Sequence, residues 1–251
     1  MRSLALTALF IVLIPICNAE KPLEFDDLVT RNKLFYQKFT DIPYTGQVKG
    51  IKSGQLKNGR KEGPWEEYWE NGQLADKGRY QNGFRVGLWE GYWDNGQLWN
   101  KGNYKKGERE GITELYHANG RLWGKGVYKN GKKHGLWEEY FHNGQLWNKG
   151  HYENGEREGL WIEYYDYGGL FQRGHYKNGR EHGLWESYWK YELLQYKAYW
   201  NNGNEIGEWK LYRRDGSICK DSKNIVMNGW TYYDKEGEIV PELPFGHRCW
   251  D

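Results

Sequence analysis

The sequence predicts an all-β fold, an elongated single-layer antiparallel β-meander built from 24-residue β-hairpin repeats. Three observations support this prediction: a fixed internal period, aromatic runs broken by Asn-Gly pairs, and an aromatic content of 18% with few aliphatic side chains. A constant period is typical of repeat proteins, in which each unit contacts mainly its neighbours. Whatever such a sheet buries must therefore be mostly Trp and Tyr.

The period is strict along most of the chain. The segment DNGQLWNKGNYKKGEREG, 94–111, returns 48 residues later at 142–159 as HNGQLWNKGHYENGEREG. No insertion interrupts the period from Tyr44 to about Ser222, and a half unit at 229–239 closes the array. One glycine keeps the step of 24 in every unit, at Gly63, Gly87, Gly111, Gly135, Gly159, Gly183 and Gly207.

The first residues are typical of an export signal. Arg2 precedes an apolar run from Leu4 to Ile16 and small residues before Glu20, so we expect cleavage after Ala19. The run is too short to span a bilayer, and we expect no transmembrane segment in the mature chain. We therefore predict a periplasmic or secreted protein. A lipid-bearing Cys17 is the alternative.

The predicted domains follow the repeat: a signal peptide at 1–19, a leader segment at 20–43, the repeat array at 44–239 and a tail at 240–251. The charge of +2 falls to +1 when Arg2 is removed, so a nucleic-acid partner is not expected. Cleavage leaves Cys219 and Cys249, a candidate disulfide, with two free thiols as the alternative.

Each unit predicts one hairpin, as GLWEGYWDNGQLWNKGNYKKG at 87–107 shows. Asn95-Gly96 predicts a two-residue type I′ turn, and longer turns of the KNGKKHG type would join successive hairpins. The resulting register pairs Trp93 with Leu98, Tyr92 with Trp99, Gly91 with Asn100, Glu90 with Lys101, and Trp89 with Gly102.

Charge pairs at equivalent positions support this register, because opposite charges are favourable partners across neighbouring strands. In the seventh unit the signs are exchanged, with Lys210 opposite Asp221, and Ile162 opposite Arg173 is the exception. The other pairs are Glu66/Lys77, Glu90/Lys101, Glu114/Lys125, Glu138/Lys149 and Glu186/Lys197.

The register also predicts two faces. The core face would carry Trp89, lying over a glycine, with Trp93, Leu98, Gly102 and Tyr104. The solvated face would carry the charges and an aromatic stripe that is our candidate ligand-binding site. These rings could instead simply stabilise the hairpins. The stripe consists of Tyr92, Trp99, Tyr116, Trp123, Tyr140, Trp147, Tyr164 and Phe171.

The sequence offers no catalytic, metal-binding or cofactor-binding motif, so we expect a protein that is not an enzyme and needs no cofactor. The seven histidines have no spacing typical of metal ligands. In the sixth unit Tyr191 and Glu192 replace Asn-Gly, which we interpret as a cap of the array.

The phrases NGQLWNKGNYKKGEREG and GLWEEYFHNGQLWNKGHYENG resemble the MORN-repeat variant of bacterial proteins, often grouped with the YwqK family of antitoxins. The segment 26–50 resembles the leader of exported members. The resemblance implies β-hairpin arrays and interaction with proteins or membrane surfaces. We therefore predict an exported repeat protein that presents an extended β-surface to a protein or cell-envelope component. The alternatives are a carbohydrate-binding module that uses the stripe and an antitoxin or immunity protein.

Overall fold

A computed structural model describes residues 21–221, 231–233 and 239–240 and confirms the all-β meander. One short 3₁₀ helix, Phe25–Asp27, interrupts the strands of the leader. The strands are β1 Leu23–Glu24, β2 Leu28–Arg31, β3 Leu34–Gln37, β4 Gly46–Lys49, β5 Lys52–Lys57, β6 Arg60–Tyr68, β7 Leu74–Gln81, β8 Phe84–Tyr92, β9 Leu98–Lys105, β10 Glu108–Tyr116, β11 Leu122–Lys129, β12 Lys132–Tyr140, β13 Leu146–Glu153, β14 Glu156–Tyr164, β15 Leu170–Lys177, β16 Arg180–Tyr188, β17 Leu194–Asn201, β18 Asn204–Tyr212, β19 Ile218–Asp221, β20 Thr231–Tyr233 and β21 Ile239–Val240.

Within the described residues, these strands form one 19-stranded sheet and one separate hairpin. From β4 to β21 each strand pairs antiparallel with the next, two strands per repeat, and β1 adds to β4 in parallel. The hairpin β2–β3 stands apart from this sheet. The sheet is therefore a meander in which sequence order is spatial order.

The tight type I′ turns lie between the repeats, not inside them. Asn82 and Gly83 separate β7 from β8 with φ values of 52° and 84°, the two positive φ angles that such a turn requires. The same turn recurs at each later join from Lys106-Gly107 to Asn202-Gly203. The predicted longer joins are therefore wrong.

The predicted type I′ turn at Asn95-Gly96 is also wrong, because only Gly96 has a positive φ. Gly96 N–H donates to the Trp93 carbonyl at 2.9 Å, and Trp93 N–H donates to the Gln97 carbonyl at 2.8 Å. Asn95 Oδ1 instead accepts a hydrogen bond from Gln97 N–H at 3.0 Å. Asn95 therefore stabilises a longer turn through the hydrogen bonds of its side chain.

The wider turn changes the register only near the turn. Glu90 lies opposite Lys101 as predicted, and Gly91 opposite Asn100. Tyr92 lies opposite Leu98, so the predicted pairs Tyr92–Trp99 and Trp93–Leu98 are wrong, and a bulge follows Gly91. The other predicted charge pairs, and Ile162 opposite Arg173, are confirmed as cross-strand neighbours.

The buried core is a row of indoles on one face, called here the tryptophan face. Trp89 is buried, and its ring lies so close to Gly78 of the preceding strand that a Cβ there would collide with it. Trp89 lies opposite Gly102 in the register, as predicted, but the glycine that its ring covers is Gly78. Trp65, Trp137, Trp161 and Trp185 repeat the arrangement over Gly54, Gly126, Gly150 and Gly174.

The leader packs against the first repeats. Phe35 N–H donates to the Gly59 carbonyl at 2.9 Å, and Gly59 N–H donates to the Tyr44 carbonyl at 2.8 Å. Phe25 and Phe35 cover the core cluster that includes Leu56. The hairpin β2–β3 is therefore held against the turn between β5 and β6.

The predicted signal peptide 1–19, Cys17 and the residues of the tail after Val240 lie outside the described residues. In the part of the chain that the structure describes, no helix has the length and hydropathy to cross a bilayer.

Candidate binding surface

The tryptophan face is covered by its own side chains. The Trp89 Nε1 atom donates to the Arg79 carbonyl at 3.2 Å, and the Arg85 guanidinium lies 4.0 Å above the indole. Tyr80 packs edge-on against Trp89 at 5.0 Å between ring centroids. Lys61, Lys133 and Arg157 cover the indoles of their own units in the same way. This cation–π cover stabilises the sheet and leaves little of the indole row open.

The predicted aromatic stripe is divided between two places. Tyr92 lies on the face opposite the tryptophans, called here the zipper face. Trp99 is at the bulge, and its indole nitrogen lies over Gly91 of the tryptophan face. Trp99, Trp123, Trp147 and Phe171 contact the first residue of their own turns, Trp93, His117, Phe141 and Tyr165. The bulge explains the error, since it shifts these rings out of alternation with the tyrosines.

The tyrosines of the stripe bind carboxylates on their own strand. The hydroxyl of Tyr140 donates to Glu138 at 3.0 Å, and those of Tyr92 and Tyr116 donate to Glu90 and Glu114. Burial, followed by the hydrogen bond to Glu138, raises the pKa of Tyr140. Tyr164 has Ile162 at the glutamate position, which removes the equivalent acceptor. The ligand role of the stripe stays a prediction.

Charged residues form a zipper along the same face, with ion pairs that cross the joins between hairpins. Lys125 Nζ lies 2.9 Å from Glu138 Oε2, and Lys77 lies 3.0 Å from Glu90. The hydrogen bond from Lys125 lowers the pKa of Glu138. Lys149, the predicted partner of Glu138 within its own hairpin, is its neighbour on the other side.

Beside this zipper runs an exposed apolar row that the sequence reasoning missed. Leu88, Ile112, Leu136 and Leu160, called here the aliphatic row, are 46%, 67%, 47% and 45% exposed. Equivalent residues are two strands apart, so neighbours in the row are separated by about 10 Å. The sequence contained a signal for this row, because each member follows the repeated glycine and lies two residues before the zipper position, which is glutamate in three of the four units and Ile162 in the fourth.

The wide turns form a second continuous edge, called here the turn edge. Trp93 Nε1 donates to the carbonyl of Tyr116, 23 residues onward, at 3.2 Å. Asn95 Nδ2 donates to the carbonyl of Ala118 at 2.9 Å. Trp69, Trp93, Trp123 and Trp147 keep about two-fifths of their surface exposed here. These bonds tie consecutive turns together.

The sixth unit keeps the indole bond of this edge, from Trp189 Nε1 to the Tyr212 carbonyl at 3.3 Å, but its turn residues differ. Tyr191 and Glu192 adopt φ values of 71° and 63°, which glycine tolerates better than they do. Tyr191 is 80% exposed. The sheet continues past this unit, because β17 pairs onward with β18, and its interpretation as a cap stays a prediction.

The described residues contain no group of three or more His, Cys, Asp or Glu arranged to hold a metal ion. Cys219 is buried and disulfide-bonded. Cys249 lies outside the described residues, so the pairing of these two cysteines stays a prediction.

The fold and these surfaces define a β-hairpin repeat protein. Five consecutive stretches match the MORN repeat variant, at residues 61–82, 85–106, 109–130, 133–154 and 157–178. Each stretch begins just after a type I′ turn and spans one hairpin with its wide turn. No curated protein matches the chain. The antitoxin role implied by the resemblance stays a prediction.

Proposed function

We propose that this protein is an exported, non-enzymatic repeat protein whose zipper face binds a protein of the cell envelope or its surroundings. The aliphatic row carries the proposal. Four exposed apolar side chains recur in line at one repeat position, with Asn103, Val127 and His151 on the strands between them. A regular row of exposed apolar side chains favours an interaction site. The tryptophan face is less suited to this role because cations already cover its indoles.

The charges beside the row favour a protein partner over a purely apolar surface. Lys77–Glu90 and Lys125–Glu138 alternate in sign along the face. Alternating charge sets the register and specificity of a docking surface more than its affinity. The expected partner therefore presents apolar residues about 10 Å apart with complementary charges between them.

The test compares two kinds of apolar substitution in the tagged mature protein. Ile112→Asp together with Leu136→Asp should reduce capture of the partner from an envelope fraction by at least about tenfold. Ile51→Asp together with Leu193→Asp is the matched control, since both residues are exposed and lie outside the row. Equal capture by both variants would contradict the proposal, provided that circular dichroism shows both folded.

Export rests on the apolar run from Leu4 to Ile16. Expressed in its native host, the mature protein should begin at Glu20 when its N-terminus is sequenced. A mature chain that begins at a lipid-modified Cys17 would instead indicate a lipid-anchored protein. A chain that retains Met1 would contradict export.

A carbohydrate-binding function is the second candidate, favoured by the partly exposed indoles of the turn edge. Soluble peptidoglycan fragments should then quench tryptophan fluorescence, and Trp93→Ala with Trp123→Ala should reduce the quenching. A flat titration with wild-type protein would exclude this candidate for those glycans.

A further inference from the structure

A cavity of about 510 Å³, open to solvent, lies between the leader hairpin and the first repeats. It forms because the turn of β2–β3, at Asn32 and Lys33, extends beyond the docked Gly59 toward the next join at Asn82-Gly83. The only described leader hairpin lies at this end of the array, so later repeats lack this second wall. The cavity is thus a particular site and not a feature of every unit.

Part of the cavity wall is apolar and aromatic, and polar residues line the rest. Leu34 and Phe35 come from the leader, and Tyr80 and Phe84 come from the second hairpin join. Phe84 is 55% exposed although it is a large apolar side chain. The volume lies in the range of about 300–1,000 Å³ that is typical of small-molecule sites.

The charged residues that line the cavity are all cations: Lys33, Arg60 and Lys61. Lys61 is neutralised by Glu67 at 2.8 Å. Lys33 and Arg60 have no carboxylate within ion-pair distance among the described residues. A second carboxylate near the cavity is that of Glu62, which accepts a hydrogen bond from Asn82 N–H at 2.8 Å. Two cations without an ion-pair partner beside an apolar wall would attract an anion that also has an apolar part.

We propose that this cavity binds a small amphiphilic carboxylate, with its apolar body against Phe35, Tyr80 and Phe84 and its carboxylate at Arg60 and Lys33. A guanidinium and a carboxylate match in a planar, two-bond geometry, which makes Arg60 the main anchor. A bare inorganic anion would leave the apolar walls unused. The site is independent of the zipper face.

The test measures binding of N-acetylphenylalanine to the mature protein by ligand-observed NMR titration. N-acetylphenylalaninamide has the same body without the charge and should bind at least tenfold more weakly. Arg60→Gln and Lys33→Gln should each weaken binding of the acid at least fivefold, and Phe84→Ala should do so as well. All three side chains are exposed, so the variants should fold.

Arg180→Gln is the matched control. Arg180 begins β16 as Arg60 begins β6, and its side chain lies beside Gly203 as that of Arg60 lies beside Gly83, but Arg180 is five units further along the array. This variant should bind like wild type. The proposal is overturned if the acid does not bind at millimolar concentration, if the amide or inorganic phosphate binds as tightly, or if Arg180→Gln weakens binding equally.

Discussion

At the residue scale, the third unit has the weakest tryptophan position. Thr113 stands where the other units have tryptophan, and Arg109 fills part of the space, 5.4 Å from the Tyr104 ring and 5.6 Å from the Tyr128 ring. Thr113 Oγ1 and Arg109 Nη1 are buried without a hydrogen-bond partner. Unpaired buried polar atoms are costly, so this unit should be less stable than its neighbours.

Replacing Thr113 with Trp should therefore stabilise the protein. The indole would cover Gly102, and Arg109 would lie above it as Arg85 lies above Trp89. We expect the free energy of unfolding to rise by roughly 1–2 kcal/mol, measured by urea denaturation. Trp137→Thr is the matched reverse change and should cost roughly 3–5 kcal/mol. A destabilised Thr113→Trp variant would contradict this view of the position.

The two kinds of Asn-Gly also differ at the residue scale. Asn82 is needed only for its positive φ, which glycine adopts freely, so Asn82→Gly should change stability little. Asn95→Gly should cost roughly 1–2 kcal/mol, because its side chain makes two hydrogen bonds, to Gln97 and to Ala118. Thermal unfolding of the two variants compares these costs. Equal losses of stability in Asn82→Gly and Asn95→Gly would contradict different roles for the two asparagines.

At the scale of strands and hairpins, the zipper couples each hairpin to the next. Glu138→Lys should destabilise the sheet by roughly 0.2–1 kcal/mol, a small effect because the pair is partly exposed. Adding Lys125→Glu should restore more of the loss than adding Lys149→Glu, since the ion pair is with Lys125. The reverse order of rescue, in chemical denaturation, would contradict the observed pairing.

The same carboxylates predict weaker hairpin coupling in acid. Hydrogen bonds from Lys77 and Lys125 lower the pKa values of Glu90 and Glu138 in the folded state. A carboxylate whose pKa is lowered by folding stabilises the protein at pH values above its pKa in the unfolded chain, which is about 4.3. This stabilisation is lost as the pH falls through the pKa of the carboxylate in the folded protein. The melting temperature should therefore fall less between pH 6 and pH 3 for Glu138→Gln than for wild type. An equal or larger fall in the melting temperature of Glu138→Gln would contradict a contribution of the Glu138 carboxylate to stability at pH 6.

Much of the hairpin could be predicted from sequence, because strand alternation and the charge pairs fix the register away from the turns. Glu90 opposite Lys101 followed from this logic alone. The turns could not be assigned, since one dipeptide, Asn-Gly, occurs at both and local preference does not distinguish them. Because the turn is wider than predicted, Trp99 does not lie opposite Tyr92, and the predicted stripe is divided. The aliphatic row could be recognised in the sequence as a repeated apolar position. Its exposure could not be predicted, because exposure depends on what packs above the sheet.

At the scale of the whole molecule, the meander places equivalent residues in rows, so one repeated position becomes a long surface. The row from Leu88 to Leu160 extends over about 30 Å, three repeat steps of about 10 Å. Each unit adds little binding energy alone, but units in register act together on one extended partner. Binding should therefore weaken stepwise as members of the row are changed.

The cavity beside the leader lies outside this periodic surface and depends on a segment that occurs at one end of the described array. Deleting 21–43 should abolish binding of the small carboxylate and leave the zipper face able to bind its protein partner. Circular dichroism of the truncated protein gives the control for folding. Loss of both activities in a folded truncation would show that the two sites are coupled.

Site-specific photocrosslinking tests the central claim most directly. A photoreactive amino acid would be placed, one position at a time, at residues 88, 112, 136 and 160 of the protein in its native host, and at the exposed positions 51 and 193 as controls. The zipper-face proposal predicts the same partner adduct from the four row positions and none from the controls. Adducts from the controls alone, or from all six positions equally, would contradict it.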